Sequence, residues 1–259
     1  MNQPPASPPN LNPAAPAAGV ISIRLPSSSP RVTYTLLAVT IGVYLLQILS
    51  QFLLGFDLLI ALGAKSGELI RDGELWRLFT PMFLHVGIVH LGFNMYFLYS
   101  FGVGLEQRFG HARFLLLYLL GGFAGNALSF LITPVPAVGS STSVFGLVAA
   151  EGIFLYQHRR LFGAETKNAI NNIVMTIVIN LAIGFSSGGY IDNWGHIGGL
   201  LGGLIFTWFS GPLWEVEGIY PLLRLVDRRG ESRDMIVGAA AVLFIFGALV
   251  LVAFFRPLG

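Results

Sequence analysis

Cysteine is absent from this sequence, and charge is scarce. Without cysteine there is no disulfide scaffold, no cysteine-ligated zinc and no thiol nucleophile. Asp, Glu, Lys and Arg make up 11% of the 259 residues, against roughly 25% in soluble domains. A soluble surface needs more charge than that to stay solvated. Basic runs are also missing and the formal net charge is only +2, which argues against nucleic acid as a partner. What the chain has instead is apolar: 54% hydrophobic residues, with 32 glycines among the rest. In so apolar a chain, glycine fits helices that approach closely in lipid. The composition predicts an all-α, polytopic transmembrane helix bundle with the lipid bilayer as its first partner.

The few charges sit in islands. Between them lie charge-free stretches at 32–56, 78–105, 114–150, 168–191, 193–214 and 235–255. A helix needs about 20 mostly apolar residues to cross the hydrocarbon core. Five stretches suit one span each. The third is too long, and Thr133-Pro134-Val135-Pro136 breaks it, because residues before proline leave the helical region. Seven spans follow, near 33–54, 82–103, 113–132, 141–157, 168–186, 196–211 and 235–255. With the N-terminus in the cytoplasm, inside segments hold eleven Lys and Arg residues and outside segments hold four, which is the expected bias. Residues 1–31 carry eight of the fourteen prolines and no acid, so they read as a disordered cytoplasmic tail. They lack the pattern of a transit or signal peptide, which favours a bacterial plasma membrane. The expected domains are the tail at 1–31, a six-span core at 32–211, an inside loop at 212–234, and a seventh helix with a short tail at 235–259.

Polar groups inside spans are costly and mark function or buried contacts. Ser141 opens the fourth span beside Ser140 and Ser143. Serine there is an ordinary N-cap, and local sequence does not choose among the three. His196 opens the sixth span, followed by Gly199 and Gly203. Small residues four apart give a smooth face on which another helix can lie closely. A serine and a histidine at one depth on two close helices can form a hydrogen-bonded pair, with the histidine taking the serine proton. His85, His90 and Asn94 lie early in the predicted second span. His90 and Asn94 share a helical face, while His85, five residues earlier, points elsewhere. These residues suit interhelical hydrogen bonds, donors to a developing oxyanion, or, with His196, a metal site that lacks a carboxylate ligand. Glu151 stands ten residues beyond Ser141, about 15 Å along a helix, and reads as a hydrogen-bonding group on the cytoplasmic side. Asn126 and Asn180 read as helix-contact residues, and His111 and His158 as solvated loop residues.

Taken in order, these motifs resemble the rhomboid family of intramembrane serine proteases. Trp76-Arg77 resembles the family's Trp-Arg pair in the loop after the first span. His85, His90 and Asn94 resemble its His-x4-His-x3-Asn pattern. Gly139-x-Ser141 with Phe145-Gly146 resembles its serine motif, and Gly195-His196 with Gly199 and Gly203 its histidine helix. The resemblance covers roughly residues 74–205. It implies Ser141 as nucleophile, His196 as general base and then acid, and His90, Asn94 and the Ser141 backbone N–H as oxyanion donors. Phe145 would pack beside the histidine, His85 would belong to the surrounding polar network, and Trp76 and Arg77 would anchor the outer loop. No metal and no cofactor are implied. Transmembrane protein substrates, cut in or near a membrane segment, are the implied partners.

One residue departs from the pattern. Thr142 stands where the family has glycine after the nucleophile; a side chain there can narrow the cavity or alter the oxyanion geometry, but a helix first turn accepts Thr, so activity is expected, with room for a change in substrate choice. Asp192, four residues before His196, is not assigned an orienting role. The glycine-rich loop near 186–194 is a candidate movable cap. Two other classes compete: a non-proteolytic protein that binds membrane spans, and a transporter or channel. The first typically loses the serine or histidine kept here. The second predicts internal repeats or charged pathway residues, and the sequence shows neither.

Overall fold

Long charge-free runs become long helices. The computed structural model of the chain describes residues 27–219 and 222–256. The expected disordered tail therefore lies, as far as residue 26, outside the described residues, and so does the end of the chain from 257. Helix α1 (Arg31–Leu54) is followed by two short helices, α2 (Leu58–Gly63) and α3 (Gly67–Arg71). Then come α4 (Ile88–Phe109), α5 (His111–Ile132), α6 (Ser141–Gln157), the one-turn α7 (Arg159–Phe162), α8 (Glu165–Ser186) and α9 (Asn193–Ser210). A small antiparallel hairpin, β1 (Trp214–Glu217) with β2 (Arg224–Asp227), precedes α10 (Ser232–Phe255). The chain is an all-α polytopic bundle. By length and composition α1, α4, α5, α8 and α10 are each able to cross a membrane. The 17-residue α6 and the 18-residue, glycine-rich α9 are shorter. Both pack on α5 and on each other. The face carrying residues 55–87 is called upper below.

The second span differs from its predicted position. It runs Ile88–Phe109, not 82–103. Pro81 sits in a 3-10 turn over Thr80–Phe83, and Gly87 at φ 116° caps α4, a conformation that side-chain-bearing residues rarely adopt. His85 therefore lies in the loop before the helix, and helical spacing does not describe where it points.

Three lower-face contacts tie the bundle together. Glu106 caps α1: its carboxylate accepts from Val32 N at 2.8 Å, and from Thr33 N and Thr33 Oγ1 at 2.7 Å. Arg108 of α4 pairs with Glu151 of α6, so Glu151 is a structural group far from Ser141, as expected. Arg113 of α5 donates to Asp227 at 2.6 Å and anchors the hairpin, which the sequence reading treated only as loop. His158 is a correction. It is 2% exposed, its Nδ1 lies 2.7 Å from Phe154 O, and its Nε2 accepts from Trp214 N at 2.8 Å. It locks the hairpin to the end of α6 and is not solvated. Burial lowers its pKa from the ordinary histidine value, which keeps Nε2 free to accept. The C-terminal helix buries one stripe, Gly238, Val242, Phe246, Val250 and Ala253, against α5 and α9.

Candidate active site

Glycine sets the distance between the helices that carry Ser141 and His196. A Cβ at Gly199 or Gly203 would fall inside the backbone of α6, at Thr142 O or Gly146 O. On its adjoining face, a Cβ at Gly198 would meet Ala124 O of α5 at 2.6 Å. Helix α9 is thus seated in a groove between α5 and α6 at backbone contact distance, as the small-residue spacing predicts.

This seating brings Ser141 and His196 together. His196 Nε2 lies 2.9 Å from Ser141 Oγ, within hydrogen-bond reach. Ser141 is the first residue of α6, and Ser140 before it makes no side-chain cap bond. The N-cap reading of Ser141 therefore does not hold; its hydroxyl serves the histidine. Ser143 faces Met82 Sδ at 3.7 Å and is fully buried. The Phe145 ring stacks on the His196 imidazole, with centroids 4.2 Å apart and planes at 14°. His196 Nδ1 has no hydrogen-bond partner among the described residues. Stacking and the glycine seat hold the ring, with no third side chain among the described residues bonded to it.

The loop before Ser141 is strapped down at two points. Lys65 and Ala137 exchange backbone bonds at 2.9 and 3.2 Å, and Gly139 N donates to Pro81 O at 2.9 Å. Gly139 has φ 128°, and a Cβ there would meet the His90 ring at 2.8 Å. Only glycine lets His90 lie this close to the serine loop. Asn94 sits one turn further along α4 and spends one amide hydrogen on His90 O at 3.0 Å. Its second N–H is left to donate elsewhere. His85 packs edge-on against His90, centroids 5.1 Å apart, and its Nε2 lies 3.4 Å from Ser140 N and Oγ. Burial, with His90 as a neighbour, lowers the His85 pKa to about 3, so His85 stays neutral. Trp76 and Arg77 hold the upper loop, away from the pair. Trp76 Nε1 donates to Leu62 O at 3.0 Å. Arg77, 3% exposed, donates to Ala64 O and Ala61 O at 2.8 Å, covering the carbonyl end of α2.

A cavity of about 1290 Å³ joins these groups. Its back wall is α6, with Ser141, Val144 and Phe145. One side wall is α4, with His90, Phe93 and Asn94, and the other is α8. Residues 189–194 and 132–138 form its rim. Thr142 is not among the lining residues. Its side chain turns the other way, into the notch left by Gly125 and Gly195. The expectation that it narrows the cavity is therefore corrected. Asn180 is another correction: it lines the cavity from α8. Asn126 donates to Leu78 O at 3.0 Å, at the end of the short 3-10 helix Leu75–Leu78 in the upper loop.

Sequence reasoning passed over three residues that hold this site. Gln47 of α1 exchanges bonds with the His85 backbone, both at 3.1 Å. Lys65, 0% exposed, donates to Ser129 Oγ at 2.9 Å and to Thr133 O at 3.1 Å. Ser129 Oγ lies 2.5 Å from Asp192 Oδ2, and Asp192 Oδ1 accepts from Gly195 N at 2.9 Å. Lys65 is thus linked through Ser129 to the N-cap of the histidine helix. Burial lowers the Lys65 pKa to about 8, against the raising effect of Asp192. A polar residue inside an apolar run was the available signal for Gln47 and Ser129. Lys65 lies in a loop and carried none. Among the described residues, no group of three His, Cys, Asp or Glu side chains can hold a metal ion.

Comparison with known proteins gives a consistent result. A family description, the Rhomboid domain, matches residues 72–212. The chain is 40% identical over 177 residues to rhomboid protease GluP of Bacillus subtilis, covering 68% of this chain and 34% of that protein. It is 35% identical over 156 residues to RHOMBOID-like protein 9, chloroplastic, of Arabidopsis thaliana, covering 60% and 35%. Rhomboid-like protease 3 of Toxoplasma gondii is 35% identical over 172 residues, covering 65% and 63%. The chain spans about a third of the length of the first two relatives and less than two thirds of the third.

Proposed function

This chain belongs to the rhomboid family, and from that premise we propose that it is an intramembrane serine protease working through Ser141 and His196. The observation that carries the reading is the 2.9 Å approach of His196 Nε2 to Ser141 Oγ on the wall of a large cavity between helices. His196, protonated at Nδ1, takes the hydroxyl proton at Nε2 as Ser141 Oγ attacks the scissile carbonyl carbon. The negative charge then gathers on the carbonyl oxygen. His90, the free N–H of Asn94 and the backbone N–H of Ser141 are its donors, helped by the positive end of α6. The imidazolium returns its proton to the leaving amine, and the C–N bond breaks. A water, deprotonated by the same imidazole, attacks the acyl-serine ester and regenerates Ser141.

Water reaches this depth from the upper face, past the rim at 189–194, which we propose as the movable cap. The substrates are membrane proteins whose spans unwind readily near that face, because opening a helix in lipid is expensive. The charge bias supports an orientation with the N-terminus in the cytoplasm and the upper face outside. A bacterial plasma membrane is the proposed location.

Cleavage of a single-span substrate by purified protein in liposomes tests the reading, beside Ser141→Ala and His196→Ala. Each variant is expected to lose at least about a thousandfold in rate. Cutting by the Ser141→Ala protein would overturn it. An inert wild type on a broad panel would favour the span-binding class instead.

A further inference from the structure

Helix α8 carries a polar side chain that the proposed chemistry does not use. Asn180 is half-buried and faces the cavity. Its Nδ2 donates to Thr176 O of its own helix at 2.8 Å. That leaves one amide hydrogen and the side-chain carbonyl without a partner among the described residues. Thr176, one turn below, is already committed through its hydroxyl to Asn172 O. The cavity-lining neighbours Ile177 and Ile183 are apolar. An amide in a wall otherwise this apolar is costly in a membrane unless something pairs with it.

Its depth matches that of the serine and histidine. Gly184 packs directly on the Asn193 side chain, and Asn193 Nδ2 donates to Leu181 O at 3.0 Å, so the end of α8 and the start of α9 are level. Asn180 lies one turn, about 6 Å, below Gly184. His196 lies three residues, about 4.5 Å, below Asn193. Helix α6 packs on both α4 and α8, so these two form facing walls with Ser141 at the back. His90 and Asn94 stand on the α4 wall, and Asn180 on the α8 wall.

A segment cut here lies extended between those walls. In an extended chain, successive backbone groups point to opposite sides. If the scissile carbonyl turns to His90 and Asn94, the N–H and C=O of an adjacent residue turn to α8. We propose that Asn180 binds the substrate main chain there, its free N–H and carbonyl pairing with the backbone groups that unwinding leaves bare. This rests on the protease reading and extends it to a substrate-binding residue. Asn180 recognises main chain, so it favours spans that unwind and is indifferent to the side chain beside it.

The test uses the full chain in liposomes, with a synthetic single-span substrate and a small fluorophosphonate that labels an activated serine. Asn180→Leu is expected to lower kcat/KM by about tenfold, mostly through KM, because one bond is lost and bare substrate groups are left. Labelling of Ser141 should be unchanged, since the small probe needs no extended segment. An ester replacing the peptide bond two before the scissile one sharpens the test, because it removes the N–H of the residue preceding the scissile carbonyl's own, which turns to α8. There the wild type should lose several-fold while Asn180→Leu loses nothing further. Unchanged cleavage by Asn180→Leu would overturn the proposal. So would parallel loss of labelling, which marks a role in holding the serine, or an additive loss at that ester. A wild type that neither cuts nor labels would overturn the protease reading, and this proposal with it.

Discussion

Helices α8 and α9 border the same cavity and are held in opposite ways. Helix α9 buries ten of its 18 residues and meets two neighbours through glycine. Helix α8 buries three of its 22, Thr166, Ile173 and Gly184, and presents Val174, Val178 and Ile179 outward. The helix that carries His196 is therefore fixed at backbone contact. The helix across the gap is held near its upper end by Gly184 and by the Asn193 bond to Leu181. In lipid, apolar side chains gain little from packing on each other over packing on acyl chains, so close fit decides helix association. By that measure the two walls differ greatly. One holds His196 Nε2 at 2.9 Å from Ser141 Oγ, and the other is the side on which the proposed substrate would enter.

The largest effect should come from breaking the tight wall. A Cβ at Gly199 would land on Thr142 O, and backbone cannot yield as a side-chain tip does. Gly199→Ala should cost about 3 kcal/mol and reduce cleavage by about a hundredfold, because α9 must withdraw from Ser141. Val178→Ala on the outward face of α8 should stay within about 0.5 kcal/mol. Thermal unfolding in detergent and cleavage in liposomes measure both. Equal losses in the two variants would erase the asymmetry.

A smaller effect should come from the Lys65–Ser129–Asp192 link, which fastens the start of the tight wall to the upper loop. Lys65→Met should cost about 2 kcal/mol, since it strips a buried donor from Ser129 and Thr133. The pH dependence has a definite sign. Burial lowers the Lys65 pKa from the ordinary lysine value of 10.5 to about 8 in the fold. Between those values the unfolded chain binds more protons, so wild-type stability should rise with pH across that window. Lys65→Met should lack that rise. A melting series from pH 7.5 to about 10.5 decides it; parallel curves would mean that Lys65 is not held as a buried cation.

The difference between the two walls was half legible in the sequence. Gly195, Gly199 and Gly203 at four-residue spacing announced the tight helix, because close approach needs small residues wherever the chain runs. Two helix starts on one face allowed a serine–histidine pair, and the family resemblance was what chose Ser141 among three serines. What composition did not carry was the path of the loops. Pro81 and Gly87 moved the start of α4 six residues on and took His85 off the helix, since a 3-10 turn leaves no mark in hydropathy. Asn180 looked like a helix-contact residue because an apolar run does not say which of its faces meets a cavity. Lys65 carried no local signal at all, and His158 looked like a solvated loop residue. Their burial depends on partners 64 and 56 residues away, which no local pattern encodes.

Thr142 offers the finest test of where the tight wall ends and the cavity begins. From sequence, a side chain beside the nucleophile should crowd the substrate. In the fold it points into the notch formed by Gly125 and Gly195, at 5% exposure. Its hydroxyl is buried with no hydrogen-bond partner among the described residues. A buried hydroxyl without a partner costs free energy that a methyl group of the same shape does not. Thr142→Val should therefore stabilise the protein, by about 1 kcal/mol. Because the side chain faces α5 and α9, the same change should leave the ratio of rates on substrates with small and large residues before the cut within about twofold. Paired melting and cleavage measurements separate the two positions. A stabilised variant with unchanged preference puts residue 142 in the wall. A shifted preference would put it in the cavity and restore the expectation drawn from the missing glycine.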